Sequence, residues 1–172
     1  MENMNGSSGE ILIRPVKEND LEDLFEIYGD EETSRYLLND AWTKENRQEE
    51  FEKRLNNGAL WLAVVKENKV IGTLSVFTKE MKDTYEIGYV FHKDYRHRGY
   101  AYKSLMKLVR YLFEDRKAHR LYAELDARNT DSIRLLERCG FVKEAYFRKD
   151  CFSKGEWTDT LVYALLETDE YQ

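Results

Sequence analysis

The spacing of hydrophobic residues divides the second half of the chain into strands and a long helix. Hydrophobic residues alternate with a period of two over residues 84–91, which predicts a β-strand. Further along they recur three and four residues apart, at Ala101, Leu105 and Leu108, which predicts one apolar face of a helix. A strand over residues 121–125 follows. Strand, long helix and strand in succession predict a right-handed crossover between two parallel strands.

The same pattern predicts the other elements of an α+β fold with a central mixed, mostly antiparallel sheet flanked by helices. A first helix is predicted over residues 21–28, and residues 30–43 are expected to be irregular. Asn129 is expected to cap a short helix, and Gly140 is expected to end it in the left-handed conformation. The other predicted strands are 11–13, 60–66 and 69–77, with a closing hairpin of 142–152 and 157–166.

Composition and charge exclude several classes of protein. The 172-residue chain is 42% apolar and 13% aromatic, which excludes a disordered chain. Its net charge of −6 argues against a nucleic-acid binder, because attraction to phosphates dominates such binding. No apolar run approaches the ~20 residues of a membrane helix, and two cysteines cannot form a disulfide framework. We therefore expect a single cytoplasmic domain, residues 10–172, behind a flexible tail, residues 1–9.

The segment Arg96–Ala101 carries the most informative chemistry. It lies between a predicted strand and the start of the long helix, where unpaired N–H groups and the positive end of the helix dipole favour phosphate. Gly99 has no Cβ that would hold an anion away from the backbone. Lys93, Arg96, Arg98 and Lys103 make the segment and its flanks basic. A pyrophosphate group suits this position, although a solvated basic turn also accounts for these charges. The chain has neither a P-loop nor a G-x-G-x-x-G motif, which argues against a P-loop NTPase and a Rossmann domain.

Four segments of the chain resemble one known family. Arg96-x-x-Gly99-x-Ala101 is similar to the [Q/R]-x-x-G-x-[G/A] motif of the GNAT superfamily of acyl-CoA-dependent N-acyltransferases. Segments that resemble its ribosomal-protein N-acetyltransferase branch are Glu86-Ile87-Gly88-Tyr89, Asn129-x-x-Ser132-Ile133-x-x-Leu136-Glu137-x-x-Gly140-Phe141 and Trp157-Thr158-Asp159. The resemblance spans residues 11–166. It implies the GNAT fold, with a parallel β-α-β segment that binds the coenzyme, and transfer of an acetyl group from acetyl-CoA to a primary amine.

The resemblance implies that most matched residues bind the acetyl-CoA cosubstrate. Backbone N–H groups of residues 96–101 would hold the pyrophosphate, and residues 89–91 would pair with the pantetheine amides. Asn129 would bond the pantetheine arm or serve only as a helix cap. Arg138 would reach the 3′-phosphate or remain an ordinary exposed arginine. The implied coenzyme residues are Tyr89, Val90, Phe91, Arg96, His97, Arg98, Gly99, Tyr100, Ala101, Asn129 and Arg138.

Two side chains are candidates for the acid–base chemistry that the resemblance implies. Glu86 is the candidate base, acting through a water, although a solvent-facing strand glutamate also accounts for it. The backbone N–H of Val90 or Phe91 is the expected oxyanion donor. Leu136 replaces the tyrosine that commonly serves as the family's general acid. Ser132 is therefore the substitute candidate, beside the simpler interpretation of a serine in the first turn of a helix.

The acceptor site implied by the family lies between the first two helices, the strand near Glu86 and the final hairpin. Carboxylates beside aromatic rings suit a protonated amine, through ion pairing and cation–π contact. A protein N-terminus, a polyamine and an aminoglycoside all meet this description. The candidate acceptor residues are Glu31, Tyr36, Trp42, Trp157 and Asp159.

Other interpretations of the sequence predict different behaviour. The absent tyrosine agrees with a non-catalytic acyl-CoA-binding regulatory module, which binds the coenzyme without turnover. A generic α+β protein with a basic loop binds no coenzyme. The three histidines share no metal-ligand spacing, so no metal site is predicted. The strand over residues 157–166 is a candidate edge for a homodimer.

Overall fold

Twelve helices and strands build residues 11–171, the part of the chain that the computed structural model describes. They are β1 (Leu12–Pro15), α1 (Leu21–Tyr28), α2 (Glu31–Ser34), α3 (Arg47–Leu55), β2 (Leu60–Lys66), β3 (Lys69–Thr78), β4 (Thr84–Phe91), α4 (Tyr100–Arg110), β5 (Arg120–Asp126), α5 (Thr130–Arg138), β6 (Val142–Ser153) and β7 (Glu156–Leu166). A π-helical segment, Tyr111–Asp115, extends α4. None of these helices is long and apolar enough to cross a membrane. The predicted tail, residues 1–9, and the predicted domain ends, residues 10 and 172, lie outside the described residues.

The strands form one sheet in the order β1-β2-β3-β4-β5-β7-β6. Neighbours are antiparallel except for β4 and β5, which are parallel. This arrangement confirms the predicted α+β class, the mixed sheet and the parallel pair joined through α4. The expectation that residues 157–166 form an edge is wrong, because β7 pairs with β5 on one side and with β6 on the other. The edge strand at this end of the sheet is β6.

Buried side chains cover both faces of the sheet, which explains the continuous apolar run of β2. Trp61, Ala63 and Val65 belong to a buried cluster with residues of α1 and α3. Leu62 and Val64 belong to a second cluster with residues of α4 and α5. Because side chains alternate across a strand, β2 needs apolar residues at every position to fill both clusters.

Side-chain caps begin the two short helices near the centre of the sheet. Asp30 caps α2 by accepting from the Thr33 N–H at 2.8 Å, so the segment predicted as irregular contains a helical turn. Asn129 caps α5, as predicted, by accepting from the Ser132 N–H at 3.2 Å. Gly140 follows α5 with φ +90°, which confirms the predicted left-handed end.

The parallel strands β4 and β5 separate after three residue pairs, and this separation opens the sheet. Thr84–Glu86 pair with Arg120–Tyr122. Beyond these pairs β4 remains with β3, and β5 remains with β7. The outer half of β4, residues 87–91, therefore has one edge without a strand partner.

Backbone alternation decides which groups face this gap. The His92 N–H donates to the Ile71 carbonyl at 2.9 Å, in register with the β3–β4 ladder. Backbone groups point alternately to the two sides of an antiparallel strand, so the Val90 N–H faces β3. Those of Tyr89 and Phe91 face the gap. Of the two expected oxyanion donors, only Phe91 has its N–H on this side.

Candidate active site

A cleft of about 410 Å³ lies between β4, α4 and α5 and is called the helix cleft. Nine of the eleven implied coenzyme residues line it: Tyr89, Val90, Phe91, Arg96, His97, Gly99, Ala101, Asn129 and Arg138. The side chains of Arg98 and Tyr100 pack against Tyr95 instead. The Arg98 guanidinium lies 5.9 Å from the Tyr95 ring centroid, and the Tyr100 and Tyr95 rings are 6.2 Å apart. For these two residues the prediction rests on their backbone N–H groups alone.

The N-terminus of α4 opens onto the helix cleft. Gly99 precedes the helix with φ +80°, a conformation that residues with a side chain rarely adopt. A Cβ built on Gly99 would meet no protein atom within 4 Å, so a side chain here would project into open space at the cleft. The first N–H groups of a helix have no partner within the helix. Gly99 and these N–H groups form a cradle for an anion such as phosphate.

The helix cleft carries an excess of positive charge. Its formally charged side chains, apart from His97, are Arg35, Arg96, Arg134 and Arg138 against Glu32 and Asp131. The guanidinium of Arg138 lies 4.3 Å above the ring of Tyr102. A cleft with four guanidinium groups and two carboxylates favours an anionic ligand.

Charged contacts tie α2 to the loop before α4. Arg96 donates to Thr33 Oγ1 at 2.7 Å and pairs with Glu32 at 3.3 Å. Lys93 pairs with Asp30 at 2.6 Å. Burial alone would raise the pKa of Asp30, but hydrogen bonds from Lys93 and Thr33 lower this pKa to about 2. These contacts fix the loop after α2 beside the helix cleft.

We expect Asp30→Asn to lower the free energy of unfolding by about 1 kcal/mol at neutral pH, because asparagine keeps the cap but loses the charge that pairs with Lys93. The folded pKa lies below the ordinary value of 3.8, so the contribution is fully present above that value and is lost as pH falls toward about 2. Urea unfolding of both proteins from neutral to acidic pH measures this difference. A difference that does not shrink in acid would contradict the ion pair.

A second cleft, of about 240 Å³, lies between β4, β5 and the β6–β7 hairpin and is called the hairpin cleft. Residues 35–37 line both clefts, so the two clefts meet at this loop. The hairpin tip is held to the same loop. Lys154 donates to the Ser34 carbonyl at 2.5 Å, and Ser153 donates to the Leu38 carbonyl at 3.0 Å.

Carboxylates dominate the hairpin cleft. Its charged side chains are Glu86, Glu124, Asp126, Asp150 and Glu156 against Arg35, Arg128 and Lys154. Arg128 already pairs with Asp126 and Glu156, at 2.7 and 2.8 Å. Within residues 11–171, the carboxylates of Glu124 and Asp150 make no hydrogen bond or ion pair. Burial and then the charge of Glu86 raise the pKa of Glu124. The charge of Lys79 opposes this rise, but neither Glu124 nor Asp150 makes a direct ion pair within the described residues.

Glu86 lies in the hairpin cleft with one oxygen engaged and one open. The Lys79 ammonium contacts Oε2, and the Tyr122 hydroxyl lies 3.5 Å from the same oxygen. The described residues make no hydrogen bond or ion pair to Oε1. The side chain is 26% exposed, so Oε1 can be reached from the cleft. Glu86 therefore combines a fixed carboxylate with a free acceptor atom.

Ser132 meets β4 at the wall of the helix cleft. Its Oγ lies 2.6 Å from the hydroxyl oxygen of Tyr89, and both residues line the cleft. Leu136, which stands where the family commonly has a tyrosine, is fully buried in the core and lines neither cleft. The polar groups at this wall are therefore those of Tyr89 and Ser132.

Trp42 is wrongly predicted as an acceptor residue. It is 4% exposed, and its ring stacks on Tyr28 with the centroids 4.8 Å apart. It belongs to the buried cluster that includes residues of α1 and α3. An aromatic side chain buries a large apolar area, and here that area fills the core. An acceptor in the hairpin cleft cannot reach it.

β7 also directs two predicted acceptor residues away from the hairpin cleft. Glu156, Thr158 and Thr160 line that cleft. Trp157 and Asp159 alternate with these residues and line a neighbouring pocket instead, which shares Arg128, Glu156 and Thr158 with the hairpin cleft. The Asp159 carboxylate is already bonded there to two residues of β6. Trp157 and Asp159 therefore lie beside the hairpin cleft and do not line it.

The two remaining acceptor candidates, Tyr36 and Glu31, differ in whether they line a cleft. Tyr36 lines both clefts, whereas Glu31 lines neither. Sequence reasoning missed Glu124 and Asp126, which line the hairpin cleft from β5. The signal was their period-two spacing on the strand predicted to lie parallel to that of Glu86. Among the described residues no group of three or more His, Cys, Asp and Glu is placed to hold a metal ion.

Comparison with known proteins identifies the class that this fold and these clefts define. The model of the acetyltransferase (GNAT) domain matches residues 10–142, and the chain belongs to the GNAT family of acetyltransferases. A GNAT-family acetyltransferase from Bacillus anthracis has a crystal structure with a TM-score of 0.83 and 30% identity, covering 94% of this chain and 97% of that one.

Two curated relatives are named for the same activity. The uncharacterized N-acetyltransferase YnaD of Bacillus subtilis is 29% identical over 169 residues, which are 96% of this chain and 99% of the relative. The [ribosomal protein uS5]-alanine N-acetyltransferase of Escherichia coli is 27% identical over 106 residues, which are 60% of this chain and 54% of the relative.

Membership of the family confirms the predicted GNAT fold and an acyl-CoA-dependent N-acetyltransferase. It excludes the generic α+β protein. The family uses acetyl-CoA, and the helix cleft suits that molecule on three counts. The cleft is positively charged, it is lined by the open end of β4, and at Gly99 it has a cradle that any side chain would fill.

Proposed function

We propose that this protein transfers the acetyl group of acetyl-CoA to a primary amine that enters as a cation. The coenzyme occupies the helix cleft, and the amine occupies the hairpin cleft. The observation that supports this assignment is the opposite charge of two clefts that meet at residues 35–37. Arginines and a helix N-terminus suit phosphates, whereas carboxylates without a cation suit an ammonium group.

Different groups of the chain carry out different steps of the reaction. When bound, acetyl-CoA supplies the acetyl group as a thioester, whose carbon–sulfur bond breaks as the amine nitrogen bonds to the carbonyl carbon. Glu86 Oε1 accepts a proton from the ammonium through a water, which frees the nitrogen lone pair. The Phe91 N–H donates to the carbonyl oxygen as negative charge develops. Ser132 donates to the departing sulfur, which then takes a proton from solvent, and the nitrogen releases its second proton to solvent as the amide forms.

The backbone around the helix cleft holds the coenzyme. The N–H groups of residues 99–101 bind the pyrophosphate at the start of α4. Tyr89 offers its backbone groups to the pantetheine amides from the open edge of β4, beside the Phe91 N–H that faces the thioester carbonyl. Val90 contributes its side chain only, because its backbone groups are engaged with β3.

A protein N-terminus is the acceptor that we propose first. The relative from Escherichia coli is named as an alanine N-acetyltransferase of ribosomal protein uS5. An α-ammonium has a pKa of about 7.7–8.0, against about 10.4 for a lysine-type amine, so it gives its proton to a carboxylate and water more readily. The charge of the hairpin cleft also suits polyamines and aminoglycosides, so both are compared with a peptide N-terminus in the assay below.

Thiol release from acetyl-CoA identifies the acceptor. We expect turnover with a peptide that begins with a free alanine and none with the same peptide blocked at its N-terminus. Spermidine and an aminoglycoside are assayed at equal concentration. A higher kcat/KM for spermidine or the aminoglycoside than for the peptide would identify that amine as the acceptor in place of a protein N-terminus. No thiol release with any amine would contradict the proposed function.

Glu124→Gln is expected to raise the KM for the amine about tenfold at neutral pH and to leave binding of acetyl-CoA unchanged, because it removes one cation-binding charge. In the wild type this charge is lost as pH falls. Since the pKa of Glu124 is raised, the loss begins at a higher pH than for an ordinary glutamate. We therefore expect the wild-type KM to rise in mild acid toward that of Glu124→Gln. Parallel pH profiles for the two proteins would contradict this role.

A further inference from the structure

Tyr89 places its hydroxyl group entirely against one residue of α5. Its oxygen lies 2.6 Å from Ser132 Oγ and 3.4 Å from the Ser132 carbonyl oxygen. Tyr89 belongs to the open end of β4, and Ser132 belongs to the first turn of α5. This contact joins the strand to the helix at the wall of the helix cleft.

The hydrogen bond between the two hydroxyl groups can run in either direction. Each group can donate one proton and accept at its lone pairs. In the direction that concerns us, Tyr89 donates and Ser132 Oγ accepts. Burial raises the pKa of Tyr89 above that of an ordinary phenol, so the hydroxyl keeps its proton at neutral and mildly alkaline pH. The single proton of Ser132 is then free for another acceptor.

Two contacts fix Ser132 from opposite ends. Asn129 accepts from its backbone N–H at 3.2 Å, and Tyr89 holds its side-chain oxygen. Without the Tyr89 hydroxyl, the Ser132 side chain would be free to rotate. A serine hydroxyl in a helix then commonly bonds back to a carbonyl of its own helix, which would take its proton out of the cleft.

We propose that Tyr89 is a positioning residue, whose hydroxyl holds Ser132 Oγ so that the Ser132 proton points to the thioester sulfur. The proposal rests on the proposed function, because it requires acetyl transfer with the sulfur near Ser132. Tyr89 itself neither loses its proton nor touches the reacting atoms. The departing sulfur receives a hydrogen bond from Ser132, and Tyr89 ensures that this bond is made.

A double-mutant cycle on kcat tests the proposal. Thiol release is measured for the wild type, Tyr89→Phe, Ser132→Ala and the double variant, with acetyl-CoA varied at a fixed, saturating amine. We expect Tyr89→Phe to lower kcat about tenfold with little change in the KM for acetyl-CoA, because a misdirected group loses rate rather than binding. The double variant should be no slower than Ser132→Ala, since both changes remove the same hydrogen bond.

Tyr85→Phe is the matched control. Tyr85 lies on β4, four residues earlier on the same face, packs against the core and lines neither cleft. It should keep the wild-type kcat. An unchanged kcat in Tyr89→Phe, or losses that multiply in the double variant, would overturn the positioning role and leave the proposed function intact. A wild type without thiol release would overturn both.

Discussion

Gly99→Asp should abolish measurable binding of acetyl-CoA in a calorimetric titration. Gly99 precedes α4 in the left-handed conformation, and a side chain here projects into the helix cleft. The aspartate would fill the anion cradle and set a negative charge against the incoming phosphates. Like charges in direct contact cost several kcal/mol, so we expect affinity to fall more than about 100-fold.

Gly58→Asp is the control for this variant. Gly58 has φ +82°, close to the +80° of Gly99, and a Cβ on it also meets nothing within 4 Å. It follows α3 and lines neither cleft. Both variants therefore carry the same backbone strain, about 1 kcal/mol, and the same added charge. Gly58→Asp should bind acetyl-CoA like the wild type. Equal affinity for acetyl-CoA in the wild type and both variants would show that the phosphates do not bind at the start of α4.

Glu86→Gln should lower kcat about 100-fold and leave the affinity for acetyl-CoA unchanged, because an amide cannot accept the proton that the ammonium must lose. The substitution keeps the size of the side chain and lies in the hairpin cleft, away from the proposed coenzyme site. Steady-state kinetics with a saturating amine give kcat, and calorimetry gives the affinity.

Two further substitutions of glutamate by glutamine are controls for the loss of kcat expected in Glu86→Gln. Glu80→Gln changes an exposed glutamate between β3 and β4 that lines neither cleft, and it should leave kcat unchanged. Glu124→Gln should act mainly on the KM for the amine. A large loss of kcat in Glu124→Gln together with wild-type kcat in Glu86→Gln would transfer the role of base from Glu86 to Glu124.

The predictable parts of this protein are those that local chemistry dictates. Asn129 caps α5 and Gly140 ends it because both requirements involve only neighbouring backbone. The segment around Gly99 was informative for the same reason, since the start of a helix exposes its own N–H groups. The crossover through α4 followed from its length and its apolar face.

The features that the sequence does not predict depend on contacts between residues that are far apart in the chain. Trp157 and Asp159 are two residues apart and so share one face of β7, but only the sheet order decides which face lines the hairpin cleft. Trp42 joins a core that Tyr28 completes from another element. The contact between Tyr89 and Ser132 spans 43 residues and has no sequence signature.

Product analysis of a single reaction tests the central claim most directly. The wild-type protein is mixed with acetyl-CoA and a peptide that begins with a free alanine, and the released thiol and the acetylated peptide are both quantified. The two-cleft arrangement predicts equal amounts of thiol and N-acetylated peptide, with neither product formed when the peptide is blocked. Thiol release without an acetylated amine would contradict acetyl transfer between the helix cleft and the hairpin cleft. No release with this peptide would reject a protein N-terminus as the acceptor, and no release with spermidine or an aminoglycoside either would contradict acetyl transfer itself.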